Sequence, residues 1–308
     1  MSRLYTEVRG SGPALALLHG WGLNLRVWDG LAAALCDRFR IIAVDLPGHG
    51  RSDWLPERSS LAEQAAQVGE TVGAIATEYS LLGWSLGGQI ALQLAAAQRG
   101  PRARGSAVAA AIDRLVLIAA TPRLLTGTDW PHGAPPERLA AQAAGLRTDY
   151  RRTVSDFLEL QVRGSAGGAE ALAQLRAALF SHGFAQSSPG VSADGASRSA
   201  PAGPTGPPRP GPSASGPSEP QAPLLAALAR DLELLRDTDL RPLLPAITLP
   251  TLVIAGQYDR VTLPTASHAL ADRLPDARYV EMRRAAHAPF LSHLPELSAL
   301  VADFLLQT

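Results

Sequence analysis

Short apolar runs recur along the chain, each closed by Gly, Pro or a polar residue and followed by helix-like sequence. Ala14 to Leu18 ends at His19-Gly20, Ile41 to Val44 at Asp45, and Ser80 to Leu82 at Gly83. Leu115 to Ala119 ends at Thr121-Pro122, Thr251 to Ala255 ends at Gly256, and Arg278 to Met282 is a further candidate. Runs that are apolar throughout, rather than alternating, fit strands buried on both faces, as in a parallel sheet. The intervening segments, such as Leu61 to Ala76 and Gly87 to Ala97, are long enough for crossover helices. The pattern predicts an α/β fold: a mostly parallel, doubly wound sheet with helices on both faces.

Two stretches break this alternation. From about Arg123 to Arg241 there is no strand candidate, only Ala/Leu/Arg-rich helical sequence, which predicts a helical lid (123–241) set into a core of residues 1–122 and 242–308. Within the lid, Ser187 to Pro223 spans 37 residues with ten Pro, six Gly and eight Ser, and Val191 is its only large aliphatic residue. Such a segment buries too little apolar surface to offset chain entropy and is expected to be disordered. Gln98 to Ala111 reads as an elongated loop.

Composition narrows the class. The chain has 308 residues, 46% hydrophobic and 18% charged, below the usual charged share of about 25%, so a sizeable core is available. Net charge is zero, which gives no global electrostatic case for nucleic acid. Every basic residue is arginine, which we read as codon bias. A single cysteine, Cys36, excludes an intramolecular disulfide and a multi-cysteine zinc site; beside Leu31 to Leu35 it is expected to be buried packing. Met1 to Gly10 has no apolar signal region, and no run nears the roughly 18 apolar residues of a membrane span. The expectation is a cytoplasmic monomer without nucleic-acid or membrane partners.

The chemistry centres on Gly83-Trp84-Ser85-Leu86-Gly87-Gly88, placed between an apolar run and an Ala/Leu helix. G-x-S-x-G between strand and helix is a nucleophile elbow, whose glycines permit a turn too tight for side chains and hold the Ser85 hydroxyl out above the sheet. A serine nucleophile needs a base, and the base an orienting carboxylate, in the order Ser, Asp or Glu, His. Of seven histidines, His19 and His49 precede Ser85 in Gly-rich turns, His132 and His182 lie in the lid, His268 falls in a helix and His293 starts one. His287 remains, flanked by small residues just after the last strand candidate. Asp259 follows a strand end through a short turn. Asp113 precedes its strand, and Asp231, Asp237 and Asp239 read as a solvated helix face. The oxyanion needs preorganised N–H donors: the candidates are the backbone N–H groups of Leu86 and of Trp21, whose side chain would also wall the acyl pocket. No metal or cofactor is implied.

These runs, with His19-Gly20-Trp21-Gly22, Asp45-Leu46-Pro47-Gly48-His49-Gly50-Arg51-Ser52 and Ala286-His287-Ala288-Pro289-Phe290, resemble the α/β-hydrolase superfamily. More narrowly they resemble the BioH-type esterases of biotin synthesis, with further matches at Trp130-Pro131, Arg152-Thr153-Val154 and Phe157-Leu158-Glu159-Leu160-Gln161. The resemblance implies hydrolysis of the methyl ester of a pimeloyl chain on acyl-carrier protein. It makes Phe157, Leu158, Glu159, Leu160 and Gln161 substrate-channel residues, beside Trp21, Ser85, Leu86 and His287. It also implies lid arginines gripping the acidic carrier, for which Arg147, Arg151 and Arg152 are candidates, although Asp156 stands where a further arginine is expected. A generalist esterase or lipase for short acyl esters fits the same triad, because the fold hosts many chemistries. A non-catalytic binding protein on this scaffold would be marked by loss of a triad member, and all three are present.

Overall fold

The computed structural model describes residues 4–98, 111–180 and 222–307. Its centre is a seven-stranded sheet in the order β1-β3-β2-β4-β5-β6-β7. The strands are β1 (Thr6–Arg9), β2 (Ala14–Leu18), β3 (Arg40–Val44), β4 (Glu78–Trp84), β5 (Ala111–Ile118), β6 (Thr251–Gly256) and β7 (Ala277–Met282). All pairs are parallel except β1 with β3. The expected α/β architecture is therefore present, and every strand candidate lies in the sheet. β6 is buried along its whole length, which is why it reads as a continuous apolar run. β1 was not anticipated: its only apolar residue is Val8, and it exists by pairing as the edge strand on β3.

Helices α1 (Asp29–Leu35), α2 (Leu61–Gly73), α3 (Leu86–Ala97), α8 (Pro264–Ala271), α9 (Pro289–Ser292) and α10 (Leu294–Leu305) accompany the sheet. α2 starts at a capping box: Ser60 Oγ accepts from Glu63 N–H, and the Glu63 carboxylate accepts from Ser60 N–H, satisfying two groups that helix geometry leaves unpaired. Between β5 and β6 come α4 (Pro136–Thr148), α5 (Tyr150–Val162), α6 (Gly168–Phe180) and α7 (Ala222–Asp237). The chain departs at Pro122 and returns at Leu240, where Leu240 N–H donates to the Pro122 carbonyl at 2.9 Å. Val154, Leu158, Leu228 and Leu232 from these helices join the same hydrophobic cluster as the strands, so the four helices are packed onto the sheet's core.

Some expectations change. Residues 187–221 of the Pro/Gly/Ser-rich segment and 99–110 of the loop lie outside the described residues, and Ala222 and Pro223 already belong to α7. Cys36 is half-buried at the end of α1. Asp113 lies within β5, because the strand begins at Ala111, and accepts a hydrogen bond from Ser80 Oγ. Asp231 is fully buried, contrary to the solvated face expected of it. Among the described residues no helix is long and apolar enough to cross a membrane.

Candidate active site

β4 runs directly into Ser85, and α3 leaves from it. Ser85 has φ 56° and ψ −114°, a left-handed backbone that is costly for a residue with a Cβ. Neighbouring contacts hold it there. Ser85 N–H donates to the Ile118 carbonyl, and the Ser85 carbonyl accepts from Gly88 N–H at 2.9 Å. The glycines are required by space: a Cβ on Gly83 would lie 2.4 Å from the Gly87 carbonyl oxygen, and one on Gly87 2.4 Å from that of Leu18.

Asp259 and His287 meet in the turns after β6 and β7. His287 Nδ1 lies 2.7 Å from Asp259 Oδ2, with both side chains essentially inaccessible. Asp259 Oδ1 accepts from the N–H groups of Val261 and Thr262 at 2.8 and 3.0 Å. The carboxylate is thus fixed by backbone donors, and it fixes the imidazole with Nδ1–H donating. His287 Nε2 is left buried without a hydrogen-bond partner, free to accept a proton. Trp84, the residue before Ser85, donates its indole N–H to the His287 carbonyl at 2.8 Å, and His287 N–H donates to the Gln161 carbonyl at 2.9 Å. The histidine loop is therefore pinned to the elbow on one side and to α5 on the other.

The loop after β2 closes over Ser85. A Cβ on Gly20 would reach within 3.4 Å of Ser85 Cβ, so Trp21 follows at the edge of Ser85. Leu86 heads α3, where the first N–H groups have no intrahelical acceptor. Trp21 is buried, donates its indole N–H to the Leu228 carbonyl at 3.0 Å, and meets Phe157 edge-to-face. An apolar pocket opens from Ser85 between Trp21, Leu125, Leu139, Phe157, Leu160 and Leu235, with Arg138, Gln142 and Val261 also on its walls. The structure brings Phe157 and Leu160 to this pocket but not Leu158, which is core, nor Glu159, which pairs with Arg176 at 2.8 Å. Consecutive helical residues turn by about 100°, so five in a row cannot share one face. Gln161 is buried beside His287, its amide atoms without partners. The walls contributed by α4 and α7 escaped sequence reasoning, since nothing local marks which residues of these helices face Ser85.

Beneath the Trp21 loop lies a buried polar network. His19 Nε2 accepts from Leu46 N–H at 3.0 Å and His49 Nε2 from Gly22 N–H at 3.1 Å. Each ring must therefore carry its proton on Nδ1, which faces the carbonyl of Gly20 and of Pro47 respectively. Burial pushes these histidines down to about 4 and about 3, so both are neutral at pH 7. Asp231, on α7, accepts from Gln64 Nε2 at 2.8 Å, while its other oxygen lies 3.7 Å from His49 Nε2 without a hydrogen bond. Because that nitrogen already accepts from Gly22, the contact is not an ion pair. Burial raises the Asp231 carboxyl from 3.8 to about 7, against the lowering pull of the Gln64 hydrogen bond. The sequence did carry a signal: Asp231 lies three and four residues from Leu228 and Leu235, on the buried stripe of α7.

A stability prediction follows. Between these two pKa values the unfolded chain releases the Asp231 proton while the folded chain keeps it, so this group's contribution to stability falls as pH rises from about 4 to 7. Asp231→Asn has no proton to release. The variant should match the wild type near pH 4 and exceed it progressively up to pH 7–8, by up to about 4 kcal/mol at roughly 1.4 kcal/mol per unit. Urea unfolding of both proteins at several pH values tests this, and a stability difference independent of pH contradicts it.

Residues 13–294 match the family model described as alpha/beta hydrolase fold. The pimeloyl-[acyl-carrier protein] methyl ester esterase of Stenotrophomonas maltophilia is 36% identical over 98% of this chain and 96% of its own length. The esterase of the same name from Nitrosomonas europaea is 33% identical over 95% of each. Among solved structures, an esterase from Exiguobacterium antarcticum superposes with a TM-score of 0.73 at 20% identity, covering 99% of this chain and 96% of its own. A hydrolase from Oleispira antarctica gives 0.75 at 18%, covering 100% and 96%. At these identities the solved structures speak for the fold.

Proposed function

The chain belongs to the alpha/beta hydrolase family, and from that premise we propose that it is a serine carboxylesterase which hydrolyses the methyl ester of pimeloyl-acyl-carrier protein, freeing the pimeloyl carboxylate for biotin synthesis. The observation that carries the chemistry is the buried 2.7 Å contact of His287 with Asp259, set beside a strained serine that lines an apolar pocket. The substrate comes from the similarity, over nearly the whole chain, to esterases of that name.

The geometry supports a triad mechanism. His287 Nε2 takes the Ser85 proton as Oγ attacks the ester carbonyl, and Asp259 stabilises the imidazolium. The oxyanion forms against the N–H groups of Trp21 and Leu86; one such donor is typically worth about 10²–10³ in rate. His287 then protonates departing methanol, and water, activated by the same nitrogen, releases the acyl group. These steps use the chain's own groups and water. The apolar walls suit a methylene chain, with Trp21, Phe157 and Leu160 beside it. Arg147, Arg151 and Arg152, at the junction of α4 and α5, offer positive charge to an acidic carrier, and the 123–241 segment acts as the lid that carries them. The proposal includes a cytoplasmic monomer.

Rescue is the functional test. Expressed in a biotin auxotroph that lacks its methyl ester esterase, the protein should restore growth without biotin. If p-nitrophenyl butyrate is hydrolysed but growth is not restored, the generalist esterase is the correct reading; if neither occurs, the binding protein is.

A further inference from the structure

Ten of the 22 arginines among the described residues contact a carboxylate. Arg26, Arg58, Arg123, Arg176 and Arg241 each contact a carboxylate, and Arg152 meets Asp156 at 3.7 Å. One surface gathers four of the others. Three loops are joined there by backbone hydrogen bonds: Ala166 N–H donates to the Arg284 carbonyl at 2.9 Å, and Tyr258 N–H to the Ala285 carbonyl at 2.8 Å. Arg284 N–H donates to Gln257 Oε1 at 3.0 Å, and Gly164 lies against the Tyr258 ring. The joined loops present Arg163, Arg260, Arg283 and Arg284, all exposed. None of the four forms an ion pair among the described residues. Tyr258 stands among them, 43% exposed. Of the acids nearest in sequence, Asp259 is buried against His287, and Glu281 is approached by the Tyr279 hydroxyl at 3.3 Å.

This patch borders the wall of the acyl pocket. The Arg138 guanidinium, on the pocket wall, donates to the Arg260 carbonyl, and Val261 lines the same wall. An acyl chain with its ester at Ser85 that passes Arg138 and Val261 emerges beside Arg260. The start of α5, with Arg151 and Arg152, lies a 13-residue helix away from Arg163, about 20 Å at 1.5 Å per residue. Arg152 is also partly neutralised by its own acid.

We propose that Arg163, Arg260, Arg283 and Arg284, grouped around Tyr258, form the main docking surface for an acidic carrier protein whose thioester arm enters the pocket past Arg138 and Val261. This rests on the functional reading above and says where that substrate is held. The chain's zero net charge favours a local protein contact over a nucleic acid, which needs an extended basic field. Unpaired exposed arginines mainly steer and orient an acidic partner, and salt screens them within about 8–10 Å.

The test compares Arg163→Glu/Arg283→Glu with Arg151→Glu/Arg152→Glu on two substrates, pimeloyl-acyl-carrier-protein methyl ester and p-nitrophenyl butyrate. The first variant should raise KM for the carrier substrate about tenfold or more at low salt, leave its kcat and the small ester nearly unchanged, and lose most of the wild type's salt dependence. The second should have the smaller effect. An unchanged KM in the first variant, or a larger rise in the second, overturns the proposal. If both substrates suffer equally, the neutralised pair Arg163→Gln/Arg283→Gln decides: it must still raise KM for the carrier substrate alone. A wild type that shows no preference for the carrier-bound ester over dimethyl pimelate removes the functional reading itself, and the docking site with it. Wild-type binding to an RNA oligonucleotide but not to the acidic carrier overturns the choice of partner.

Discussion

Ser85→Ala should lower kcat for ester hydrolysis by roughly 10⁴-fold or more while leaving the fold intact, and His287→Ala should do nearly the same. Removing the Ser85 hydroxyl leaves the elbow's backbone bonds to Ile118 and Gly88 in place, so the loss is chemical. His287 costs as much because, with Nδ1 committed to Asp259, Nε2 is the site's proton acceptor. Groups that act as one unit are strongly non-additive, so the double variant should be little worse than either single one. Asp259→Asn should be comparable or milder: the ring can be held in place but loses the partner that fixes its tautomer. Initial rates on p-nitrophenyl butyrate, with circular dichroism to verify folding, decide the matter. A folded Ser85→Ala protein hydrolysing at the wild-type rate would remove Ser85 as nucleophile.

A single methyl group added away from the nucleophile should have the next largest effect. Gly256 ends β6, and a Cβ there would sit 2.0 Å from the Ala286 carbonyl oxygen and 2.8 Å from that of Ala285. These are backbone atoms of the segment that presents His287, and Asp259 N–H donates to the Gly256 carbonyl at 3.0 Å. Gly256→Ala must therefore push the two turns apart by about 1 Å or more, along the line on which His287 and Asp259 meet. Misplacement of that size costs on the order of 10² in rate, so kcat should fall about 100-fold. The melting temperature should fall too, since overpacking typically costs about 1–3 kcal/mol. Wild-type kcat in the variant would show that the Asp259–His287 contact does not depend on this backbone approach.

Sequence alone carried the parallel strands and the elbow because their signals are local: apolar runs buried on both faces, and glycines around Ser85 where no Cβ fits. Asp259 and His287 were legible by position after strand ends. What escaped is set by long-range contact. β1 exists by pairing with β3. Asp231 is buried because α7 lies against Gln64, 167 residues away; a charge on a helix otherwise reads as solvated. The run Phe157 to Gln161 was legible as a unit, but only the packed helix separates Phe157 and Leu160, on the pocket, from Glu159, paired outside with Arg176.

The most direct measurement is mass spectrometry of pimeloyl-acyl-carrier-protein methyl ester incubated with the wild-type protein and with Ser85→Ala. The wild type should remove one methylene unit of mass from the intact acyl-carrier species and release methanol, while Ser85→Ala leaves the substrate unchanged. Cleavage of the thioester instead of the methyl ester, or the same methyl loss with Ser85→Ala, would contradict it.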